Sequence, residues 1–311
     1  FFFFFLVELD NPNPTEVNEK IRPFYWRSFM KDLNVPPAED DNIFEITPSK
    51  EQEQLATIIH EIETNVLARY IRLLQASTNP ALLTEKIDLN NLGFLFDEID
   101  FSVEGALDSK EIAEAKQKTY FDLNVDSIKT PKFEKGMQLI RQLVSEGKKV
   151  LVWGMFVGTM RKIHQELNNA GIFSHLIYGA TPKDDRVDLI NEFRDGDVQV
   201  LISNPATLGE SISLHQSVHD AVYFEYNFNL TFMLQSRDRI HRLGLSADQY
   251  TRYYYLMSEG TSAHKSFIDK QVYDRLKEKE EVMLNAIDGQ FLLPEISDDY
   301  LDDVKKILFR E

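Results

Sequence analysis

From about residue 131 onward, short apolar runs alternate with longer segments whose apolar residues recur at helical spacing. The apolar runs predict strands at 149–153, 174–178, 198–203, 221–225 and 250–257. The amphipathic segments predict helices at 132–146, 159–170, 183–195 and 232–243, each followed directly by a glycine. Short apolar strands separated by helices are typical of a parallel sheet covered by helices on both faces. We therefore predict an α/β fold of RecA-like or Rossmann-like type.

The chain before residue 131 has a less regular pattern and predicts mainly helices and connections. Apolar residues 1–9 predict a buried strand, 11–41 are proline-rich as in a linker, and 43–46 predict a short strand. Thr47, Pro48 and Ser49 predict a helix start, with helical spacing to about residue 60 and again over 62–76. We predict four parts. Residues 1–22 are the end of a preceding lobe, and residues 23–130 are a linker with a helical insertion. Residues 131–260 are a C-terminal RecA-like lobe, and residues 261–311 are a helical extension.

Composition limits the classes of partner and site. The 311 residues are 43% hydrophobic, enough for a large core, and 34 basic against 51 acidic residues give a net charge of −17. Such a charge repels nucleic acid and anionic membranes on average, so any nucleic-acid contact must be local. The absence of cysteine excludes disulfides and thiolate metal sites and fits a reducing compartment. His215 and His219 lie four apart with no third ligand in view, so we predict no metal site and no membrane association.

Residues 235–244 carry the strongest chemical signal. Arg239 and Arg242 lie three apart behind Gln235, a spacing that places side chains on one helical face. Guanidinium groups stay charged and bind oxyanions through two donors, so the pair suits a phosphate chain. The alternative is an ordinary charged helix face balanced by Asp238. The decapeptide alone leaves both interpretations open.

The loops that follow the predicted strands supply further polar groups. Ligands of open parallel sheets bind at the carboxyl ends of the strands, where these loops begin. Residues 154–159 lead into a helix whose free amides suit a phosphate, and 178–182 do the same with Thr181 as a cap. Residues 203–209 form a polar loop that contains glycine. Taken singly, each loop also fits ordinary turn and cap chemistry.

Taken in order, these segments resemble the second RecA-like lobe of superfamily 2 helicases, and most closely the Swi/Snf-type DNA translocases. The resemblance covers about residues 21–275: 150–156 are similar to helicase motif IV, 201–214 to motif V, 228–229 to the Trp-Asn pair before motif VI, and 235–244 to motif VI. Three places depart from the family pattern. They are Glu210-Ser211 in motif V, Arg237 where an acidic residue is frequent, and Leu245 where glutamine is common.

The resemblance implies a role for each matching residue. Arg239 and Arg242 would be arginine fingers directed at the ATP γ-phosphate, with Gln235 beside the attacking water or the phosphate. Ser213 would lie near the ribose, with Gly209 and Glu210 on the same ATP-binding loop. Contacts to the backbone of duplex DNA, independent of base sequence, would come from Thr159, Gly179, Thr181, Ser203 and Thr207. RNA in place of DNA, as the nucleic acid along which the protein moves, remains an alternative.

A P-loop of the form G-x-x-x-x-G-K-[ST] is absent from all 311 residues. We therefore expect ATP and Mg²⁺ to be held mainly by an N-terminal RecA-like lobe, and this chain alone to be inactive. Residues 95–100 imitate an acidic Walker B strand, but without a P-loop upstream an acidic turn is the better interpretation.

The alternative function is a non-catalytic scaffold that binds a partner protein through residues 50–125. A Rossmann-like small-ligand binder lacks its G-x-G-x-x-G turn. We expect a cytoplasmic protein of bacterial or phage-related origin.

Overall fold

A computed structural model describes residues 34–87, 110–208, 212–260, 266–288 and 300–309. Six strands in these ranges form one sheet in the order β1-β6-β5-β2-β4-β3, and every neighbouring pair is parallel. The strands are β1 (Asn42–Ile46), β2 (Val150–Trp153), β3 (Ser174–Ile177), β4 (Val200–Ser203), β5 (Asp220–Tyr223) and β6 (Arg252–Ser258). The all-parallel sheet confirms the predicted RecA-like α/β class. The predicted strand at 1–9 and the acidic segment 95–100 lie outside the described residues.

Helices cover both faces of this sheet. They are α1 (Lys50–Ile62), α2 (Val66–Thr78), α3 (Lys110–Asp122), α4 (Pro131–Ser145), α5 (Val157–Asn169), α6 (Lys183–Asp195), α7 (Leu230–Arg237), α8 (Asp269–Asp288) and α9 (Tyr300–Phe309), with short 3₁₀ turns at Pro80–Thr84 and Val125–Ser127. Within the described ranges, no helix is both long and apolar enough to cross a membrane.

The alternation of side chains along the strands divides the core into two layers. Leu151, Tyr223 and Tyr255 point to one layer, which α1, α2, α7, α8 and α9 cover. Their chain neighbours Val152 and Val222 point to the other layer, which α4 and α5 cover. Both faces of the central strands β2 and β4 are buried, and these strands are apolar except for Ser203, which is why they are continuous apolar runs in the sequence.

Local capping explains most helix ends. Gly147 and Gly171 adopt φ of +78° and +75°, the left-handed conformation that glycine permits after a helix C-terminus. At the start of α1, Ser49 and Gln52 form a reciprocal capping box with bonds of 3.2 and 3.3 Å. The predicted helix start at residues 47–49 is therefore correct to within one residue.

The segment that precedes residue 131 packs into the same core as the later strands. β1 is an edge strand paired with β6, and Tyr70 of α2 is fully buried with its ring 5.8 Å from that of Phe228. A buried polar cluster adds a second connection: Lys132 Nζ lies 3.1 Å from Asp269 Oδ2 and 3.1 Å from Ser77 Oγ. It joins the ends of α2, α4 and α8, so α2 is a support of the sheet and not a separate module.

Candidate functional site

The segment after α7 carries the two arginines, and its backbone is a series of turns. Helix α7 ends at Arg237, whose carbonyl accepts hydrogen bonds from Ile240 N (3.2 Å) and His241 N (3.1 Å). The same carbonyl accepts a third bond from the hydroxyl of Tyr253 (3.0 Å) on β6. The predicted helix at 232–243 is therefore wrong after residue 237, where Arg239 N and Ile240 N bond to carbonyls three residues earlier and the segment continues as turns. We call residues 238–244 the arginine turn.

Arg239 joins the arginine turn to the segment before β5. Its Nη1 donates to the carbonyl of Ile212 (3.3 Å), and its own carbonyl accepts from Leu214 N (3.0 Å). Only 8% of Arg239 is exposed, whereas Arg242 is exposed. Ser213 lies between the two residues that Arg239 contacts and is half-buried. The structure thus brings together Arg239 and Ser213, which the sequence had selected from two different motifs.

The charges of this site favour an anion. Burial and the nearby Arg242 both lower the pKa of Arg239, which means that two positive charges lie close together. His215 bonds to Ser213 Oγ through Nδ1 (2.5 Å), and burial and Arg242 lower its pKa as well. Its buried Nε2 has no hydrogen-bond partner among the described residues. A phosphate group would relieve the repulsion between the arginines, so the residues present fit one end of a nucleotide.

The remaining predicted nucleotide residues are only partly described. Gln235 is half-buried on the last turn of α7, three residues before the arginine turn begins. Gly209 and Glu210 lie outside the described residues. Across the parts of the chain that are described, no group of three histidine, aspartate or glutamate side chains is arranged to hold a metal ion.

Two amides of the loop at residues 154–159 bond to a carboxylate of the protein itself. Glu225, at the end of β5, accepts hydrogen bonds from Met155 N and Phe156 N through Oε2, both at 3.0 Å. Its Oε1 accepts from the hydroxyl of Thr159 at 2.7 Å. The carboxylate of Glu225 therefore lies just before α5, near the place where the sequence predicted a bound phosphate. Burial raises the pKa of Glu225 to about 7, although these donors favour its charged form.

The predicted backbone contacts for nucleic acid divide into buried and accessible residues. Thr159 is fully buried against Glu225, and Ser203 is fully buried with its hydroxyl donating to the carbonyl of Ile177 (2.7 Å). The hydroxyls of both side chains therefore bond to groups inside the protein. Gly179 is exposed, while Thr181 and Thr207 are half-buried in loops that follow β3 and β4.

The loop that contains Gly179 and Thr181 is held by an arginine. Arg186 of α6 donates to the carbonyl of Thr181 (2.8 Å) and to that of Gly179 (3.0 Å). The hydroxyl of Thr181 accepts from Tyr178 N (3.1 Å), and α6 begins after Pro182 with no side-chain cap. The sequence predicts that Thr181 caps α6. In the structure its side chain instead closes the turn before the helix.

The two groups of candidate residues lie toward opposite edges of the sheet, one group beside β3 and β4 and the other beside β5 and β6. They also lie at opposite ends of the strands. Gly179, Thr181 and Thr207 follow the ends of parallel strands. The arginine turn contacts residues at or before strand starts, through Leu214 ahead of β5 and Tyr253 near the start of β6. The rule that ligands bind at the carboxyl ends of strands therefore applies only to the first group.

Sequence reasoning missed the role of Glu225. An acidic residue directly after a buried apolar strand was a usable signal, since a buried carboxylate needs several donors. It also gave no account of Arg237, whose guanidinium lies 3.1 Å from Asp41 and stacks over the ring of Tyr253 at 4.4 Å. No local pattern connects residues 41 and 237, so this contact could only come from the tertiary structure.

Comparison with known proteins identifies relatives of this arrangement. Residues 131–244 match the family described as helicase conserved C-terminal domain. The chain is 26% identical over 161 residues to the chromatin-remodeling ATPase INO80 of Saccharomyces cerevisiae, a match that covers 51% of this chain and 10% of that protein. It is 29% identical over 165 residues to the Caenorhabditis elegans SWI/SNF-related matrix-associated actin-dependent regulator of chromatin subfamily A containing DEAD/H box 1 homolog, covering 49% and 16%. The matched part is thus a small fraction of each relative.

A solved structure shares the fold. The C-terminal part of the Fun30 ATPase domain superposes with a TM-score of 0.58 at 17% identity, covering 89% of this chain and 99% of that chain. At this identity the similarity concerns the fold alone.

The relatives also correct the expected cellular setting. They are eukaryotic proteins, from yeast and a nematode, and their names place them on chromatin. The prediction of a cytoplasmic protein of bacterial or phage-related origin is therefore wrong, since chromatin proteins of eukaryotes are nuclear.

Proposed function

The chain carries a helicase conserved C-terminal domain whose relatives are Swi/Snf-type ATPases, and we propose that it serves as the C-terminal motor lobe of an ATP-dependent DNA translocase. The observation that supports this proposal most directly is the contact between Arg239 and residues 212–214, at 3.3 and 3.0 Å. It assembles two guanidinium groups and a serine hydroxyl from separate motifs at one place.

In this proposal Arg239 and Arg242 act on the phosphate end of ATP. Bound ATP supplies the phosphoryl group whose transfer to water drives the motor, and arginine fingers stabilise the charge that develops on it. Ser213 would lie beside the nucleotide and Gln235 would orient the attacking water. We propose that an N-terminal lobe supplies the rest of the ATP contacts and Mg²⁺, since this sequence contains no G-x-x-x-x-G-K-[ST] motif.

The track for translocation would run along the other edge of the sheet. Gly179, Thr181 and Thr207 lie there in loops whose backbone groups and hydroxyls suit phosphate oxygens. Such contacts do not read bases, so we propose sequence-independent binding of duplex DNA. A protein with a net charge of −17 needs such local contacts.

The test uses the complete protein and replaces each finger separately. We expect Arg239→Ala and Arg242→Ala each to reduce DNA-stimulated ATPase by a factor of about 10³ or more, which is the usual contribution of an arginine finger. DNA binding should stay within about twofold, because neither residue lies at the DNA edge. Arg141→Ala, which removes an exposed arginine on α4, is the matched control and should retain full turnover. Unchanged turnover in both finger variants would reject the proposal.

A comparison of nucleic acids as stimulants of the ATPase tests which of them the protein moves along. Duplex DNA, single-stranded DNA and RNA are compared at equal nucleotide concentration, with duplex DNA expected to give the largest stimulation. The alternative function as a scaffold that binds a partner through residues 50–125 gains no specific support. The buried positions of α1 and α2 are used for contacts within the lobe.

A further inference from the structure

The arginine turn is attached at two points to residues 36–41, which precede β1. Arg237 Nη2 donates to Asp41 Oδ1 at 3.1 Å, and His241 Nε2 donates to the carbonyl of Pro36 at 2.8 Å. Arg237 and His241 lie two residues before and two residues after Arg239. Residues 36–41, called here the linker segment, therefore hold both ends of the backbone that carries Arg239.

The contact between Arg237 and Asp41 is a buried and well-supported ion pair. The side chain of Arg237 is 18% exposed and that of Asp41 is 8% exposed. Asp41 Oδ2 also accepts from the hydroxyl of Tyr273 at 2.7 Å, and Glu280 lies 3.8 Å from Arg237 Nη1. A buried charge left without its partner is strongly unfavourable, so the pair fixes the distance between the linker segment and the turn.

The backbone transmits the position of Arg237 to Arg239. The carbonyl of Arg237 accepts from Ile240 N, from His241 N and from the hydroxyl of Tyr253. A displacement of Arg237 therefore moves the first part of the turn, and Arg239 with it. Arg239 in turn makes its two contacts with residues 212–214. Catalytic groups tolerate little misplacement, since a shift of about 1 Å can cost roughly 10²-fold in rate.

We propose that Arg237 is a positioning residue for Arg239, and that the linker segment regulates ATP hydrolysis by setting where the arginine turn lies. This inference rests on the proposed function of Arg239 and Arg242. When the linker segment is seated, its Asp41 and Pro36 hold the turn against residues 212–214. When it is displaced, both ends of the turn lose their support and the guanidinium of Arg239 leaves its place.

The test compares steady-state kinetics of the complete protein with and without the ion pair. Arg237→Gln should lower the kcat of DNA-stimulated ATPase about tenfold while the KM for ATP changes less than about twofold, because the variant loses orientation and keeps the nucleotide contacts. Arg237→Lys should recover part of the loss, since it retains the charge without the planar fork. Asp41→Asn should reproduce the loss, and the double variant should be no slower than Arg237→Gln alone.

A matched control separates this contact from general weakening of the linker segment. Arg252→Gln removes the bridge from Arg252 to Glu39 (2.6 Å), which ties the same segment to β6 without touching the arginine turn. It should leave kcat unchanged. Asp41→Asn, which keeps the side-chain volume, provides the measurement if Arg237→Gln does not fold.

Three results would overturn the proposal: a normal kcat in Arg237→Gln, additive losses in the double variant, or an equal loss in Arg252→Gln that follows the melting temperature. Arg239→Ala is measured in parallel. If Arg239→Ala also retains turnover, the proposed function itself fails. If Arg239→Ala is inactive while Arg237→Gln is normal, only the positioning role fails.

Discussion

The loop at residues 154–159 and the arginine turn at 238–244 were both predicted from sequence to face a phosphate, and the structure uses them in opposite ways. In the loop, Glu225 accepts from Met155 N, Phe156 N and the hydroxyl of Thr159. In the turn, the backbone is held by other parts of the protein and the guanidinium of Arg242 stays exposed. The comparison shows that a loop predicted to bind a phosphate can instead bind a carboxylate of the protein itself.

The largest effect is expected from removing the internal anion of the loop. Glu225→Ala leaves two buried amides and a buried hydroxyl without partners, so the free energy of unfolding should fall by about 3–5 kcal/mol. Urea denaturation monitored by circular dichroism measures this change. Glu225→Gln keeps one acceptor oxygen and should cost less.

The turn should show the reverse pattern, which sharpens the comparison. Arg242→Ala removes an exposed side chain, so its free energy of unfolding should change by no more than about 0.5 kcal/mol. The main effect of Arg242→Ala should instead be the loss of DNA-stimulated ATPase activity. A loss of stability in Arg242→Ala as large as that in Glu225→Ala would remove the distinction between the two regions.

The pH dependence of stability gives the next largest effect. Burial raises the pKa of Glu225 from its ordinary value of 4.5 to about 7. Between these values the folded protein binds a proton that the unfolded chain does not, so this contribution is complete below the ordinary pKa and is lost as pH rises through about 7.

We therefore expect the wild type to lose about 2 kcal/mol of stability relative to Glu225→Gln between about pH 5 and pH 7. Urea denaturation of both proteins across this interval measures the difference. Parallel curves for the two proteins would mean that Glu225 stays ionised, with its donors outweighing its burial.

The smallest effect comes from a pair of glycines, one at each edge of the sheet. Gly244, in the turn, has a φ of +100°, and a Cβ there would lie 3.0 Å from His215 Nε2. Gly244→Ala should cost about 1–2 kcal/mol because other residues rarely adopt this conformation. Gly179→Ala has nothing within 4 Å of its new Cβ, so its stability should change by about 0.5 kcal/mol or less.

Thermal melting of the two alanine variants measures this contrast. ATPase assays add a second readout, since Gly244→Ala should disturb the site around His215 while Gly179→Ala should leave kcat unchanged. Equal melting temperatures for both variants would show that the turn relaxes without strain, contrary to the expectation.

Several parts of the fold followed from local sequence because their causes are local. The strands β2 and β4 are continuous apolar runs, as burial on both faces of a parallel sheet requires. Gly147 and Gly171 end helices at the predicted positions because they supply the left-handed conformation. The order of these elements, together with residues 235–244, was sufficient to predict the helicase lobe.

The sequence by itself thus determined the parallel α/β lobe and selected Arg239, Arg242 and Ser213 as candidates. Only the tertiary structure decided that α7 stops at Arg237, that Glu225 accepts from two amides of the loop, and that the candidates lie toward opposite edges of the sheet. The last two depend on contacts between residues far apart in the chain, such as Glu225 with Met155 or Arg239 with Leu214. A local pattern shows which donors and acceptors a segment has, but their partners are fixed only when distant segments pack together.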